Sequence, residues 1–547
     1  MIVIDSPELS VRLDECSLAI ARFLARQQLA EGHFAARDFY GRAFSALLWS
    51  RYGSEFAKSI GRSIRSIVDE QARPLPANYH FEFVRYALIK LFAGRPDLGV
   101  LEDVLPRELY RGTRVANWTL LRAFCRFHSA RHIERAKAAV EVAVVRYWFS
   151  NKSGLIEDRK GAYTMQYHAF CTALLGELLA GPMKDSVSTR RWFGQSIETF
   201  SDLVLRGGQC NYIGRGSLQI FGYAAAMLAL AHGYRHFERR CYWERAAQIL
   251  TLIEDHQDKN GSVPLVLRDT AEGKPEGKPE TFDLKDPNYA GWWSYNNYYD
   301  YLPFAGAMLR LAAEIFSACQ FSDVKKHAPP ITTKRLGSSI VKIERHSYTA
   351  VFTLPNRKLW AASVPVPYVE IAGNYPFPCY GGEQQLKSIY SERAVPLPIV
   401  LLRNGENIIF ARFRYRWVGS MSFGTEERGF THVRQFVFNS HEIIIRDTVG
   451  WRNGAAIRRV KMLRLLVPQT KVLARSPNTV VLHEVTLEFS GQMQEEDERH
   501  YSANGPLTCF YTGPEFLGEM SSISAEVVIR MPHCDKQQDA EQAYEHG

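Results

Sequence analysis

Residues 319–339, CQFSDVKKHAPPITTKRLGSS, divide the chain into two halves with different periods. Upstream, apolar residues recur every three or four positions, the signature of helices. Downstream they alternate every two, the signature of strands. Within the stretch neither period survives, and Pro329-Pro330 supplies no main-chain donor for either structure. It therefore reads as a linker between residues 1–318 and 340–533, with 534–547 a polar, flexible tail.

The upstream helices are short and follow one another without strands between them. FYGRAFSALLWSRYG (39–53), FEFVRYALIKLFAG (81–94), NWTLLRAFCRF (117–127), HAFCTALLGELLA (168–180), GSLQIFGYAAAMLALAHGY (216–234) and YLPFAGAMLRLAAEIF (301–316) carry the pattern most clearly. A weak repeat accompanies them. Gly32, Gly154 and Gly261 each follow a helix, and Gly207 falls between the last two, giving intervals of 53 and 54 residues, about one helical hairpin with its loops. Hairpins of this kind must stack to bury their apolar faces. Aromatic, His and Arg residues gathered on the loops at one end favour closure into an α/α toroid with a cleft. Downstream, SIVKIERHSYTAVFTL (339–354), THVRQFVFNSHEIIIRDTVG (431–450), TVVLHEVTLEFSG (479–491) and SAEVVIRMP (524–532) read as strands joined by turns. No helix there is long enough for a parallel crossover, so an antiparallel β-sandwich is expected. The fold class is thus multidomain α and β: an N-terminal α/α toroid, an incomplete barrel of helical hairpins, followed by an antiparallel β-sandwich.

Composition narrows the function. The 547 residues are 46% hydrophobic and 23% charged, which excludes disordered and fibrous chains. No window of 18 apolar residues predicts a membrane span. The net charge of +9 favours an anionic partner, yet no Lys/Arg block or RNP-type run supports nucleic-acid binding. Nine cysteines form no CxxC pair and are odd in number, which fits free thiols in a reducing compartment. The opening MIVIDSPELSVRLDE lacks a basic and then apolar leader, so a cytoplasmic location is expected. No HExxH or other metal motif occurs, and no cofactor is implied.

Four segments concentrate groups able to do chemistry. In SGLIEDRKGAYTMQYHAF (153–170), a Gly-bounded loop enters a helix that opens with Gln166, Tyr167 and His168. In CNYIGRGSLQIFGY (210–223), Arg215 stands between Gly214 and Gly216, and Tyr223 follows eight residues later, two helical turns on. Asn117-Trp118 opens another helix; an N-cap and a core Trp are the plain alternatives there. Finally GWWSYNNYYDYLPF (291–304) offers Trp292, Trp293, Tyr295, Asn296 and Tyr298 as a wall on which sugar rings could stack, or as a packed aromatic corner.

These pieces, in this order, resemble the chondroitin AC/alginate lyase superfamily, which includes heparinase II/III-like polysaccharide lyases. The likeness rests on Asn117-Trp118, Tyr167-His168 and Arg215 with Tyr223, and on their spacing. It implies cleavage of an acidic, uronic-acid-containing polysaccharide or oligosaccharide by β-elimination, leaving a 4,5-unsaturated end. The C5 proton is removable only if the neighbouring carboxylate is neutralised, because enolate-like charge gathers there. The resemblance makes Asn117, then Gln166, the neutralising amides, His168 the base, and Tyr223 the acid with Arg215 beside it. Some relatives place the acting Tyr soon after the His. Here position 177 is Glu, so Tyr167 competes with Tyr223. Trp118 and the 292–298 aromatics would bind substrate.

Other chemistries remain open. A toroid hydrolase needs two carboxylates, for which Glu157, Asp158, Asp269 and Asp300 are available. A uronyl C5-epimerase would share the proton abstraction, and a polysaccharide-binding protein would keep the aromatic wall alone. His346, Arg412 or Arg414 could reach the cleft from the β-domain.

Overall fold

The computed structural model describes residues 6–36, 38–73, 80–93, 115–129, 131–160, 163–214, 216–267 and 297–319 of the helical part. Of the β part it describes 333–336, 340–353, 368–375, 384–385, 400–403, 407–409, 416–417, 422–427, 430–451, 457–496, 500–502, 505–513 and 522–532.

The helices are α1 (Ser6–Gln27), α2 (Gly41–Ser50), α3 (Ala57–Gln71), α4 (Phe81–Phe92), α5 (Ala116–Phe127), α6 (His132–Val144), α7 (Met165–Ala180), α8 (Val187–Leu203), α9 (Ile220–Phe237), α10 (Arg240–Asp255) and α11 (Tyr298–Ser317). Their packing forms a cycle. α2 packs on α4, α4 on α5, α5 on α7, α7 on α9, α9 on α11, and α11 back on α2. α1, α3, α6, α8 and α10 lie against members of this cycle as an outer layer. Composition explains the sorting. α7 and α9 are apolar nearly all round and almost wholly buried, whereas α3, α6 and α10 keep a charged face for solvent.

The centre of the cycle is filled. Phe44, Phe83, Phe170, Phe221 and Phe304 come from α2, α4, α7, α9 and α11 and pack against one another, some face to face and most edge to face. The Phe221 and Phe304 rings lie 4.0 Å apart and 13° from parallel. Each buried ring contributes about 2 kcal/mol of transfer free energy. The plug is also the floor beneath the helix N-termini. α11 meets α2 closely: a Cβ on Gly41 would stand 1.6 Å from the Tyr299 carbonyl oxygen, so only glycine permits the contact. The Asp300 carboxylate then accepts the Phe39, Tyr40 and Gly41 N–H groups, capping α2 from another helix.

The first described strand, Thr333–Leu336, opens inside the stretch read as linker. Among the described residues all strand pairings are antiparallel and build three sheets. The first runs Thr333–Leu336, Ile340–Glu344, Thr349–Thr353, Tyr368–Glu370 in order. The largest is centred on Ser522–Arg530, Glu442–Trp451 and Phe430–Phe438, and the third on Gly505–Thr512 and Ile457–Pro468. Buried Arg434 and Asp447 face each other across the large sheet, with Nε–Oδ1 and Nη2–Oδ2 both at 2.6 Å. Asp447 Oδ2 also accepts the Leu463 N–H, 3.0 Å away, from the third sheet. One satisfied ion pair therefore links two sheets. The tail from 534 lies outside the described residues.

Candidate active site

Six helices of the cycle present their N-termini at one end. Four contacts establish this: Asp300 at the start of α11 caps α2, the His80 ring before α4 lies 5.2 Å from Trp118 of α5, Ala116 N–H donates to the Asp158 carbonyl, and Tyr167 of α7 lies 6.5 Å from Phe221 of α9. Aligned peptide dipoles leave partial positive charge at such ends, a setting that favours an anionic ligand.

The loop from 149 to 164 enters this end. Ser150 bridges to Ile156, Glu157 N–H donates to the Phe149 carbonyl, and the chain then turns past Asp158 into α7. Met165 N–H donates to the Ile213 carbonyl, which lays the 211–218 loop on the start of α7. There Gly216, at φ +80°, passes so close that a Cβ would lie 2.5 Å from Gln166 Nε2.

Asn117 and Gln166 are buried at the starts of α5 and α7, and neither Asn117 Oδ1 nor Gln166 Oε1 has a hydrogen-bond partner. A buried, orphaned acceptor costs about 1–3 kcal/mol, so two at one site mark a place where a donor is expected. Tyr167 follows Gln166 and is 8% exposed. Trp118 is half-buried, packed edge-on against Phe83. Asp158 is buried as well.

His168 is placed differently from the expectation. Its ring is fully buried, Nδ1 accepts the Ile156 N–H at 2.9 Å, and Nε2 reaches the Ser196 carbonyl at 3.2 Å. With Nδ1 accepting, the proton sits on Nε2, and burial pushes the pKa down to about 4. Both nitrogens are therefore occupied by main chain, and a base role would require breaking those bonds. Tyr223 is likewise fully buried and donates its hydroxyl to Gln209 Oε1. Tyr298 turns outward, its ring edge-on to Phe23 of α1, which makes it core rather than wall. Asp300 is spent on capping α2 and on Asn297. Arg215, Trp292, Trp293, Tyr295, Asn296, Asp269, Arg412 and Arg414 lie outside the described residues. Among those described, no three His, Cys, Asp or Glu side chains gather as metal ligands.

The sequence reading overlooked His80. It precedes α4, its ring lies 4.8 Å from Phe39 and 5.2 Å from Trp118, and Nδ1 is buried without a partner. Burial holds its pKa down to about 4, so the imidazole is neutral. The signal was present: His80-Phe81 sits at a loop–helix junction like the one at 166–168.

No protein-family description matches the sequence, and no curated protein matches it. Solved structures do. The fold is similar to that of the chondroitin AC lyase of Streptomyces coelicolor A3 in complex with chondroitin sulphate, with TM-score 0.54, 12% identity, and coverage of 96% of this chain and 80% of that one. It is also similar to Paenibacillus xanthan lyase, with TM-score 0.52 and 11% identity, over 99% of this chain and 59% of that one. Both are polysaccharide lyases, and at these identities the likeness is one of fold.

Proposed function

We propose, from a fold shared with two polysaccharide lyases, that this protein cleaves a uronic-acid-containing polysaccharide by β-elimination at the N-terminal end of its helical cycle, the cleft of an α/α toroid. The observation that carries this is the pair of orphaned amide oxygens on Asn117 and Gln166 beside Tyr167. A carboxamide offers one acceptor and two donors, the complement of a neutral carboxyl group with its O–H and C=O. Amides that hold the carboxyl in this form favour loss of the C5 proton, because the enolate-like charge meets preplaced donors. The converging helix N-termini add to the same effect. Tyr167 donates a proton to the leaving 4-oxygen, and His80, neutral above about pH 4, accepts the C5 proton. His168 holds Ile156, and with it the loop that carries Asp158.

Hydrolysis is the second reading, favoured by buried Asp158 and adjacent Glu157 on that loop. Alginate, hyaluronan, glucuronan and xanthan, incubated with purified protein, decide between them through absorbance near 232 nm. β-Elimination gives a rise that Asn117→Ala and Tyr167→Phe each reduce about a hundredfold or more. His80→Ala losing activity while retaining the Tm supports His80 as base. New reducing ends without absorbance overturn elimination and turn attention to Glu157 and Asp158.

A further inference from the structure

The outer helix α6 ends in a π-helical turn, Val145–Phe149, that exposes two adjacent large aromatics. Tyr147 is 76% and Trp148 61% exposed, while Phe149 beside them is buried. The extra residue of a π turn re-aims side chains, and such turns recur at functional sites. The Arg146 guanidinium lies over the Tyr147 ring, 5.4 Å from its centroid. This end of α6 is the cleft end, because the chain leaves it directly into the 149–164 loop. The Ser150–Ile156 bridge and the Glu157–Phe149 hydrogen bond fold that loop back over the turn. Lys152 and Lys160, both exposed, rise from it, and neither makes an ion pair among the described residues. In the same loop the Asp158 carbonyl accepts the Ala116 N–H at the start of α5, one residue before Asn117.

We propose that Tyr147 and Trp148, with Arg146, Lys152 and Lys160, form a rim subsite for an anionic sugar chain extending out of the cleft. This rests on the proposed function and deepens it: the substrate is a polymer gripped beyond the bond that is cut, not a disaccharide. The ring faces stack on the apolar faces of pyranose units, and the cations answer the carboxylates or sulfates between them. Both chemistries occur together only here on the outer layer of the described helices, and continuity with the Asn117 loop gives the chain its path. A second copy of this protein could instead cover the face, since Ile133, Val140 and Val144 are exposed further along α6.

Binding to immobilised alginate, hyaluronan and xanthan by biolayer interferometry tests this, with neutral dextran as control. The wild type is expected to bind at least one acidic polymer and not dextran. The Tyr147→Ala/Trp148→Ala double variant, with unchanged Tm, should bind about tenfold more weakly, the loss of roughly 1.4 kcal/mol. Lys152→Gln/Lys160→Gln should weaken binding and flatten its salt dependence. Equal binding by wild type and the aromatic double variant overturns the subsite, as does absence of wild-type binding to all three polymers. A double variant that turns a wild-type dimer into a monomer in size exclusion also overturns it, because a second copy then occupies the face. The subsite and the lyase reading fail separately. Retained 232-nm activity of the double variant, with binding unaffected, removes only the subsite. Aromatic-dependent binding without any 232-nm product removes only the elimination.

Discussion

At the scale of single residues, His168 shows how burial reassigns a side chain. With Ile156 N–H on one nitrogen and the Ser196 carbonyl on the other, the ring works as a neutral tie between two segments. Its folded pKa of about 4 lies below the ordinary 6.5, so between these values the unfolded chain binds a proton that the folded chain does not. Stability from this group therefore rises with pH across the window and is lost as pH falls from 6.5 towards 4, by about 3 kcal/mol in full. Urea unfolding from pH 4 to 8 should show this acid limb. His168→Gln should lower stability at pH 7 and make the limb shallower, leaving the His80 share in place. A limb unchanged in the variant would show that His168 is accessible to protons when folded. That Asn117, Gln166 and Tyr167 stand at helix starts was legible in sequence, because each follows a polar loop and precedes an apolar period. The occupied state of His168 was not, since Ser196 lies 28 positions away on α8.

At the scale of elements, the other end of the helical cycle is held by charge. Glu177 of α7 takes the Lys90 ammonium of α4 on one oxygen at 2.6 Å and His232 Nε2 of α9 on the other at 3.2 Å. Burial alone would raise the Glu177 pKa, but Lys90 and His232 more than offset it and keep the carboxyl ionised. One carboxylate thus joins helices α4, α7 and α9 at their C-terminal turns. Glu177→Ala leaves Lys90 and His232 facing each other, and should cost about 3–5 kcal/mol, read as a fall in the urea midpoint. Lys90→Met/Glu177→Leu should recover part of that loss, because a buried pair replaced as a unit avoids the uncompensated charge. The helices themselves were legible from their apolar spacing. Their sorting into cycle and outer layer was partly so, because α7 and α9 lack a polar face. The cap that Asp300 supplies to α2 was not, being a contact 260 positions apart.

At the scale of the whole molecule, the first sheet docks on the helical part through the loop after α8. Buried Glu370 accepts the Arg206 N–H at 2.9 Å and the Gly207 N–H, and the Tyr368 ring stacks on Tyr212, 4.4 Å apart and 17° from parallel. Glu370→Ala leaves the Arg206 and Gly207 N–H groups without their acceptor, a cost of about 1–3 kcal/mol in all because both are partly open to water. Calorimetry should then show the helical and β parts unfolding in separate transitions, where one transition is expected for the wild type. A single unshifted transition would mean that the junction carries little of the coupling between them.

What the sequence determined by itself was the pair of periods, and so the order of helices and then antiparallel strands, since spacing of 3.6 or 2 acts within a few residues. It also determined which loop–helix junctions gather amides, phenols and imidazoles. Only the tertiary structure decided which of those groups retain an unpaired atom at the N-terminal end of the helical cycle. That outcome depends on partners distant in the chain, such as Ser196 for His168 and Gln209 for Tyr223, and hydrogen-bond satisfaction in a buried site is settled by whatever the fold brings within about 3 Å.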